Sequence, residues 1–381
     1  MLEAREALAH YEIGEIHEVE TAGGTAGKCW RVSSASGRYF LRCRGLRTSS
    51  REAVEFDHGF RRHLLAHGVP TAAPLATRSG TTPALAPGGR ASWVPIEGRA
   101  FELYPFVEGR PFGGSRAELI ETARALARFH QAAADYPARG TYNPIPMQFA
   151  IAAPEVGGSE RMDDPELMAA AFERLAVHEP ALGYALQQAR RLCRTYSASV
   201  YGALPRWLIH GDYHPGNLLY SDSGRMAGIF DLDWACDHTR SRDLADGVYF
   251  FAGRRDTRAF PQGNARLGFD GSRIESMTEA VELDIVKAAL FLRAYAEEAR
   301  LEPEEARLEP EEARLEPEEA RLEPEEARAI PLALRARWLA ARLEGSAKMP
   351  PERRVWFITR DLERPLEWLD AHGDELVRSV L

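Results

Sequence analysis

The spacing of apolar and polar residues changes part-way along the chain. Between residues 16 and 45, apolar and polar positions alternate in three short runs, and a glycine-rich turn follows the first run. This alternation is typical of β-strands with one buried face, so we expect an antiparallel ribbon. A helix is predicted from about residue 50 to 67, where Gly68 ends it, and short strands follow up to Phe106.

The pattern then becomes helical. Ser115 and Glu118 have the spacing of a capping box, and apolar residues recur at helical intervals over residues 119–136. Further helices are predicted over residues 180–201, 281–298 and 332–343. The chain therefore divides into a small β-rich part, residues 1–107, and a larger helical part, residues 108–381, which is an α+β organisation.

Four perfect copies of Leu-Glu-Pro-Glu-Glu-Ala-Arg occupy residues 301–328. A regular coiled coil is not expected, because each proline removes a helical hydrogen bond and clashes with the preceding turn. The proline is acceptable as the first residue of a helical turn, and Glu304 and Arg307 (with their equivalents) can pair across that turn. We expect a kinked or broken helix, or a solvated excursion. A tandem copy of one native unit explains the array better than an interaction arm does.

Charge gives little information about partners. The net charge is −9, and the four repeat copies, each with three glutamates and one arginine, contribute −8 of it. The remainder has no basic stretch, so we predict neither nucleic-acid nor membrane binding. No apolar run is long enough to cross a bilayer, and residues 1–6 do not resemble a secretory signal, so we expect a cytoplasmic protein. The scattered cysteines are expected to be reduced thiols.

The clearest chemical signal lies in residues 210–217 and 231–233. Asp212 precedes Asn217 by five residues. A kinase-type catalytic loop uses that separation for the carboxylate that takes a hydroxyl proton and the amide that holds a metal. Asp231 follows on the next predicted strand, where a second carboxylate is needed to bridge Mg²⁺ to the phosphates of ATP. The spacing therefore predicts phosphoryl transfer, which depends mainly on alignment and charge neutralisation.

Residues 210–220, 228–234 and 242–245 resemble the aminoglycoside phosphotransferase and choline kinase superfamily, which includes homoserine kinases and spore-coat kinase-like proteins. The resemblance implies a bilobal protein-kinase-like fold, with a nucleotide-binding N-terminal lobe and with ATP and Mg²⁺ in the cleft. It also implies a small-molecule acceptor with a hydroxyl group, such as an aminoglycoside, an amino alcohol, a homoserine-like compound or a sugar. The acceptor itself and the oligomeric state are not predicted.

Several residues near the catalytic loop are expected to support it. His210 and His214 orient the loop through hydrogen bonds, or His214 touches the acceptor. Asp233 either binds a second metal or caps the loop at Trp234. Asp243 is expected to tie the loop to a helix.

The resemblance also assigns a phosphate contact to the first strands. Arg42 occupies the position where the family usually has a lysine that reaches the α and β phosphates, and a guanidinium suits that task. Its acidic partner on the following helix is best matched by Asp57, with Glu55 and Glu52 as rivals. A surface-exposed Arg42 is the alternative.

A glycine-rich turn and the hinge between the lobes complete the expected nucleotide site. Gly24 and Thr25 can present backbone N–H groups to phosphate, although the turn is not a Walker A loop because a strand follows it. By resemblance, the Pro105 carbonyl and the Val107 N–H pair with adenine.

Two other functions stay open from sequence. His210 and Asp212, with His238 or His372, have the residue types of a 2-His-1-carboxylate iron site, but that interpretation leaves Asn217 without a role. The non-enzymatic alternative is a kinase-like scaffold that has lost turnover.

Overall fold

The structure is a computed structural model that describes residues 2–22, 28–78, 91–137, 165–254, 282–300, 321–347, 349–360 and 362–381. Gly24 and Thr25, together with the first copies of the heptapeptide repeat, lie outside the described residues. Within the described ranges, an antiparallel sheet near the N-terminus precedes a mostly helical remainder, as the change in periodicity predicted.

An antiparallel five-stranded sheet, in the spatial order β1-β2-β3-β5-β4, forms the first layer. Its strands are β1 (Ile16–Ala22), β2 (Lys28–Ser34), β3 (Gly37–Cys43), β4 (Val94–Ile96) and β5 (Arg99–Pro105). The predicted ribbon is β1 to β3. Trp30, Leu41 and Phe101 are buried on the sheet face covered by helix α1 (Leu2–Leu8), whereas Arg31 points to solvent, as strand alternation requires.

Helices α2 (Arg51–Ala66) and α3 (Arg116–Ala134) connect the sheet to the helical part. The Ser50 hydroxyl accepts the Ala53 N–H at the start of α2, and the predicted capping box of Ser115 and Glu118 starts α3. Aromatic and aliphatic side chains of the two helices share one core. The segment between Pro105 and Arg116 carries the chain from the sheet to α3.

The remaining helices pack around the same core as α2 and α3. They are α4 (Pro165–Ala176), α5 (Gly183–Thr195), α6 (Ala198–Ala203), α7 (Arg240–Phe251), α8 (Ile285–Ala299), α9 (Pro324–Ala347), α10 (Pro351–Thr359) and α11 (Glu363–Arg378). The single helix predicted over residues 180–201 is interrupted between α5 and α6, because the Ser197 hydroxyl caps a new helix by accepting the Val200 N–H. None of the described helices is long and apolar enough to span a membrane.

Short antiparallel strand pairs flank the loops of the helical part. Strand β6 (Trp207–Ile209) pairs with β9 (Cys236–His238), and β7 (Leu218–Tyr220) pairs with β8 (Met226–Ile229). A further pair joins β10 (Gly253–Arg254) to β11 (Glu282–Leu283). Residues 210–217 therefore connect β6 to β7, and residues 231–233 follow β8, so both motifs lie beside the same strands.

The last repeat copy is anchored to the helical core. Pro324 is the first residue of α9, the one helical position that the sequence allowed for it. Arg328 pairs with Glu325 across the first turn at 3.0 Å, as predicted for the repeat. The side chain of Glu326 is fully buried against the equally buried Arg240, whose Nε donates to it at 3.0 Å. This copy is therefore part of the fold and not a solvated excursion.

Candidate active site

A buried carboxylate of α7 accepts hydrogen bonds from the backbone of the loop at residues 210–217. Asp243 accepts the backbone N–H groups of His210 at 2.7 Å and Gly211 at 2.9 Å. His130 of α3 lies 3.1 Å from the same carboxylate and 2.8 Å from the hydroxyl of Tyr295 on α8. Buried hydrogen bonds thus connect the loop to three helices, which fixes its backbone.

Gly211 allows the loop to pass very close to the turn after β8. Its φ is +78°, and a Cβ at this position would lie 2.2 Å from the carbonyl oxygen of Trp234. Only glycine fits this combination of left-handed backbone and close approach. Asp212 is consequently next to the turn that carries Asp231 and Asp233.

Asp212 is oriented by its neighbours within the loop. The Asn217 side-chain amide donates to the Asp212 backbone carbonyl at 2.9 Å and approaches its carboxylate at 3.3 Å. His214 accepts the Gly216 N–H at Nδ1, and its Nε2 lies 3.3 Å from the Asp212 carboxylate. Burial opposes the charge on Asp212, but His214, His210 and Arg337 outweigh it and lower the pKa of Asp212 to about 2. The carboxylate is therefore ionised at neutral pH.

His210 has an orienting position. Its Nε2 lies 3.0 Å from the Phe230 carbonyl, and its Nδ1 accepts the Asp212 N–H at 3.3 Å. Both ring nitrogens are occupied, and burial lowers the pKa of the ring, which favours the neutral form. His238 accepts the Thr239 N–H at Nδ1. These contacts argue against His210 as an iron ligand, and so against the iron-enzyme interpretation.

Asp231 completes a group of oxygen-bearing side chains. The Phe230 N–H donates to the Asn217 carbonyl at 2.9 Å, which joins the two turns next to Asp231. Asp231 has a left-handed backbone with φ of +74°, a conformation that costs energy for a non-glycine residue and is typical of functional sites. Desolvation and the carboxylates of Asp233 and Asp212 raise its pKa against the effect of Arg42.

Arg42 of β3 reaches this group directly. Its guanidinium donates to both Asp233 oxygens, at 2.9 and 2.7 Å, and to Asp231 Oδ1 at 2.9 Å. The side chain is only 18% exposed, so the alternative of a surface arginine is wrong. Asp233 is engaged by guanidinium groups and does not merely cap the loop at Trp234.

The predicted pair between Arg42 and Asp57 is also wrong. Asp57 of α2 pairs with Arg44 and, at 2.9 Å, with Arg61. Residues 42 and 44 lie on the same side of the strand, and Arg44 is the one that reaches α2 while Arg42 is held by the two carboxylates of the loop. The rival Glu55 pairs with Arg51 on the surface.

Arg44 makes the most extensive buried contact of the site. Besides Asp57 it pairs with Glu102 of β5, and its Nη1 lies 2.9 Å from Asp233. His58 is in the same cluster, 2.8 Å from Glu102. One feature of the sequence could have indicated this cluster: Glu102 is the single charged residue among the apolar residues 100–104 of β5. The cluster ties the sheet and α2 to the turn after β8.

Pro105 and Val107 lie where the chain leaves strand β5. Pro105 ends β5, and the N–H of the next residue, Phe106, donates to the Arg38 carbonyl at 3.0 Å. Val107 follows in the connection to the helical part. The contacts of these two residues with adenine stay a prediction.

The donor set beside Asp212 fits a hard divalent cation. Asn217 directs its amide N–H group to Asp212, so the amide oxygen is the atom that could bind a metal. Asp231 accepts a hydrogen bond from Arg42 at Oδ1, so Oδ2 is the oxygen that could bind a metal. Mg²⁺ prefers oxygen ligands of these types.

Comparison with known proteins agrees with this geometry. The model of the phosphotransferase enzyme family matches residues 19–277. The chain belongs to this family. The matched region includes the sheet, the catalytic-type loop and the turn at residues 231–233, so the resemblance seen in the sequence is confirmed.

Relatives of this phosphotransferase act on small molecules. Homoserine kinase of Neisseria meningitidis serogroup B is 26% identical over 260 residues, which cover 67% of this chain and 73% of that protein. The microcompartment-associated aminopropanol kinase superimposes with a TM-score of 0.58 at 14% identity, covering 99% of this chain and 98% of the other. Amicoumacin kinase hAmiN in complex with AMP-PNP, Ca²⁺ and Ami gives 0.57 at 15% identity, covering 98% and 92%. The predicted kinase-like fold and the class of small-molecule kinase are confirmed.

Proposed function

We propose that this phosphotransferase moves the γ-phosphate of ATP to a hydroxyl group of a small molecule and requires Mg²⁺. The convergence of Asp212, Asn217 and Asp231 carries the proposal. Asn217 bonds to Asp212 through its side chain and to the residue before Asp231 through its carbonyl. Phosphoryl transfer needs this combination of a proton acceptor and oxygen ligands for a cation.

Asp212 accepts a hydrogen bond from the acceptor hydroxyl and orients its oxygen. That oxygen forms a bond to the γ-phosphorus, the bond from phosphorus to the β–γ bridging oxygen breaks, and ADP leaves. The hydroxyl proton passes to the Asp212 carboxylate and then to solvent. A carboxylate with a pKa of about 2 is a weak base, so it takes the proton late, when the oxygen is already bonding to phosphorus.

The negative charge of ATP is neutralised by a metal held at residues 217 and 231 and by an arginine of the sheet. Asn217 and Asp231 are the residues that would hold Mg²⁺, which neutralises phosphate charge when bound. Arg42 is assigned to the phosphates, because its guanidinium already lies against Asp231 and suits phosphate geometry. When its guanidinium turns to phosphate, Asp231 becomes available to the metal.

The acceptor is assigned only as a small hydroxylated molecule. Homoserine, aminopropanol, aminoglycosides and sugar alcohols all offer a hydroxyl group beside a polar or charged substituent. A screen of these compounds for acceptor-dependent ATP consumption by the full chain tests the function and identifies the acceptor class.

The decisive variant is Asp212→Asn, which preserves size and removes the proton acceptor. We expect acceptor-dependent turnover to fall by about 10²–10⁴-fold, with nucleotide binding retained. Asp222→Asn, an exposed aspartate in the turn between β7 and β8, is the matched control and keeps full activity. Nucleotide binding without turnover by the parent protein, for every acceptor in the screen, favours the scaffold alternative instead.

A further inference from the structure

A second cluster of metal-binding side chains lies away from the proposed catalytic residues. His63 and His67 are one turn apart at the end of α2, and Asp135 caps the end of α3. The three side chains offer ligand atoms that all lie within 4.8 Å of one another. Two imidazoles at this spacing on a helix, with a carboxylate from a neighbouring helix, are ligands of a kind that transition metals use.

The distances suit tetrahedral coordination. His63 Nε2 lies 3.2 Å from one Asp135 oxygen, and His67 Nε2 lies 3.7 Å from the other. Ligand bonds of about 2.1 Å at tetrahedral angles separate neighbouring ligand atoms by about 3.4 Å. The three ligand atoms, which all lie within 4.8 Å of one another, can therefore converge on one ion through side-chain rotation.

His67 is already oriented as a metal ligand. Its Nδ1 lies 2.8 Å from the His63 carbonyl, to which it donates its proton. The proton on Nδ1 leaves the lone pair on Nε2, which faces Asp135. Metal-bound histidines commonly have such a hydrogen bond on the second ring nitrogen.

The surroundings of the cluster favour positive charge. Both α2 and α3 end here, and helix C-termini carry partial negative charge on their unpaired carbonyl groups. The Ala132 carbonyl lies 2.6 Å from His63 Nε2, which donates to it. On metal binding this proton moves to His63 Nδ1. A water molecule then supplies the fourth ligand.

A second group with metal-binding residue types, Asp57, His58 and Glu102, forms buried ion pairs with arginines instead. Its carboxylates are taken by Arg44 and Arg61, and all three side chains are buried. At the end of α2, by contrast, Asp135 is 37% exposed and meets only imidazole groups among its ion-pair partners in the described residues. An ion from solvent can reach it.

We propose that His63, His67 and Asp135 form a binding site for a divalent transition metal such as Zn²⁺. The ion would join α2, which carries Asp57, to the first helix of the helical part. The nitrogen ligands distinguish this site from the all-oxygen group at Asp212, which suits Mg²⁺. The site is independent of the proposed phosphotransfer.

Calorimetric titration of the full chain tests the site, after chelation and with excess Mg²⁺ present to occupy oxygen sites. The parent protein is expected to bind one Zn²⁺, and His67→Gln and Asp135→Asn are expected to weaken that binding by more than about tenfold. His178→Gln, which removes an exposed histidine elsewhere, binds Zn²⁺ like the parent. Circular dichroism establishes that each variant is folded.

Co²⁺ gives a second readout, because a four-coordinate site with nitrogen ligands has far stronger visible absorption than a six-coordinate oxygen site. The parent protein should show this absorption, and the two ligand variants should lack it. No Zn²⁺ binding by the parent, or equal binding by the parent and His67→Gln, overturns the proposal. So does loss of binding in the His178→Gln control.

Discussion

Arg44 pairs with Asp57 of α2, two positions beyond the arginine that the family pattern selects. Arg44 also contacts Glu102 and Asp233, so one buried guanidinium joins strand β5, helix α2 and the turn after β8. Arg42 is thereby left to Asp231 and Asp233. Arg42 in β3 and Arg44 just after it therefore have different partners, where the family pattern expects one basic residue to pair with the helix.

Arg44→Ala is expected to destabilise the fold strongly. It leaves Asp57 and Glu102 buried without their shared cation, and breaking a buried pair costs about 3–5 kcal/mol. Urea denaturation measures the change in the free energy of unfolding. The control Arg51→Ala removes an exposed pair with Glu55 and should cost no more than about 0.5 kcal/mol. Equal, small effects of both substitutions would show that the buried cluster is not needed for stability.

Arg42→Ala should mainly affect the nucleotide. Loss of charge-assisted hydrogen bonds to phosphate, each worth about 1.5–3 kcal/mol, should weaken ATP binding by about 10–100-fold. The urea midpoint should fall less than in Arg44→Ala, because Asp231 is 40% exposed and water can replace the guanidinium there. Unchanged nucleotide affinity in Arg42→Ala contradicts its assignment to the phosphates.

Gly211→Ala should disable the catalytic loop. Its Cβ would meet the Trp234 carbonyl at 2.2 Å, so the loop or the neighbouring turn must move. Gly68→Ala is the matched control: its φ is +75°, and nothing lies within 4 Å of the added Cβ. The control should lose only about 1–2 kcal/mol through backbone strain and retain turnover. Turnover at the parent rate in Gly211→Ala would mean that the close approach is not required.

Stability is expected to fall in mildly acidic solution. Burial lowers the pKa of His58, His130 and His210 in the folded chain. Below the unfolded value of about 6.5, the unfolded chain binds more protons than the folded chain, so the free energy of unfolding decreases as pH falls. Each histidine contributes at most about 1.4 kcal/mol per pH unit.

Urea denaturation at about pH 7.5 and about pH 5.5 measures this dependence. Replacement of one of these residues, as in His130→Gln, should reduce the difference between the two pH values, whereas His178→Gln at an exposed position should not. A parent protein equally stable at both pH values contradicts the prediction.

Glu326→Ala tests whether the last repeat copy belongs to the fold. The substitution leaves Arg240 buried without its carboxylate and should cost about 3–5 kcal/mol. Glu325→Ala, in the same copy but 63% exposed, should change stability by no more than about 0.5 kcal/mol. Thermal denaturation distinguishes the two variants, and similar melting temperatures would show that the buried pair is not an anchor.

Local patterns in the sequence determined much of this fold. The strands around Trp30 and the capping box at Ser115 follow from alternation and capping, which depend on neighbours in the chain. The spacing of Asp212 and Asn217 identified the catalytic-type loop because both residues lie on one short segment. The choice between Arg42 and Arg44 depends on how strand, helix and distant turn pack, so the family resemblance led to the wrong pair.

Contacts between segments that are distant in sequence could not be predicted for the same reason. His130 and Tyr295 support the loop from helices α3 and α8, which are distant from it in sequence, and neither lies in a recognisable motif. The break between α5 and α6 was missed because apolar residues keep a helical period across Ser197, whose hydroxyl starts a new helix. Here side-chain capping overrides the apolar pattern.

The anchored repeat copy has an evolutionary consequence. All four units are identical in sequence, so loss or duplication of one unit at the level of the gene still delivers the same glutamate to Arg240. Arg240 also donates to the carbonyl of Arg321, the last residue of the preceding copy, so the anchor spans the junction between two units. A change in the number of units leaves this junction, and the sequence of the helix that follows it, the same.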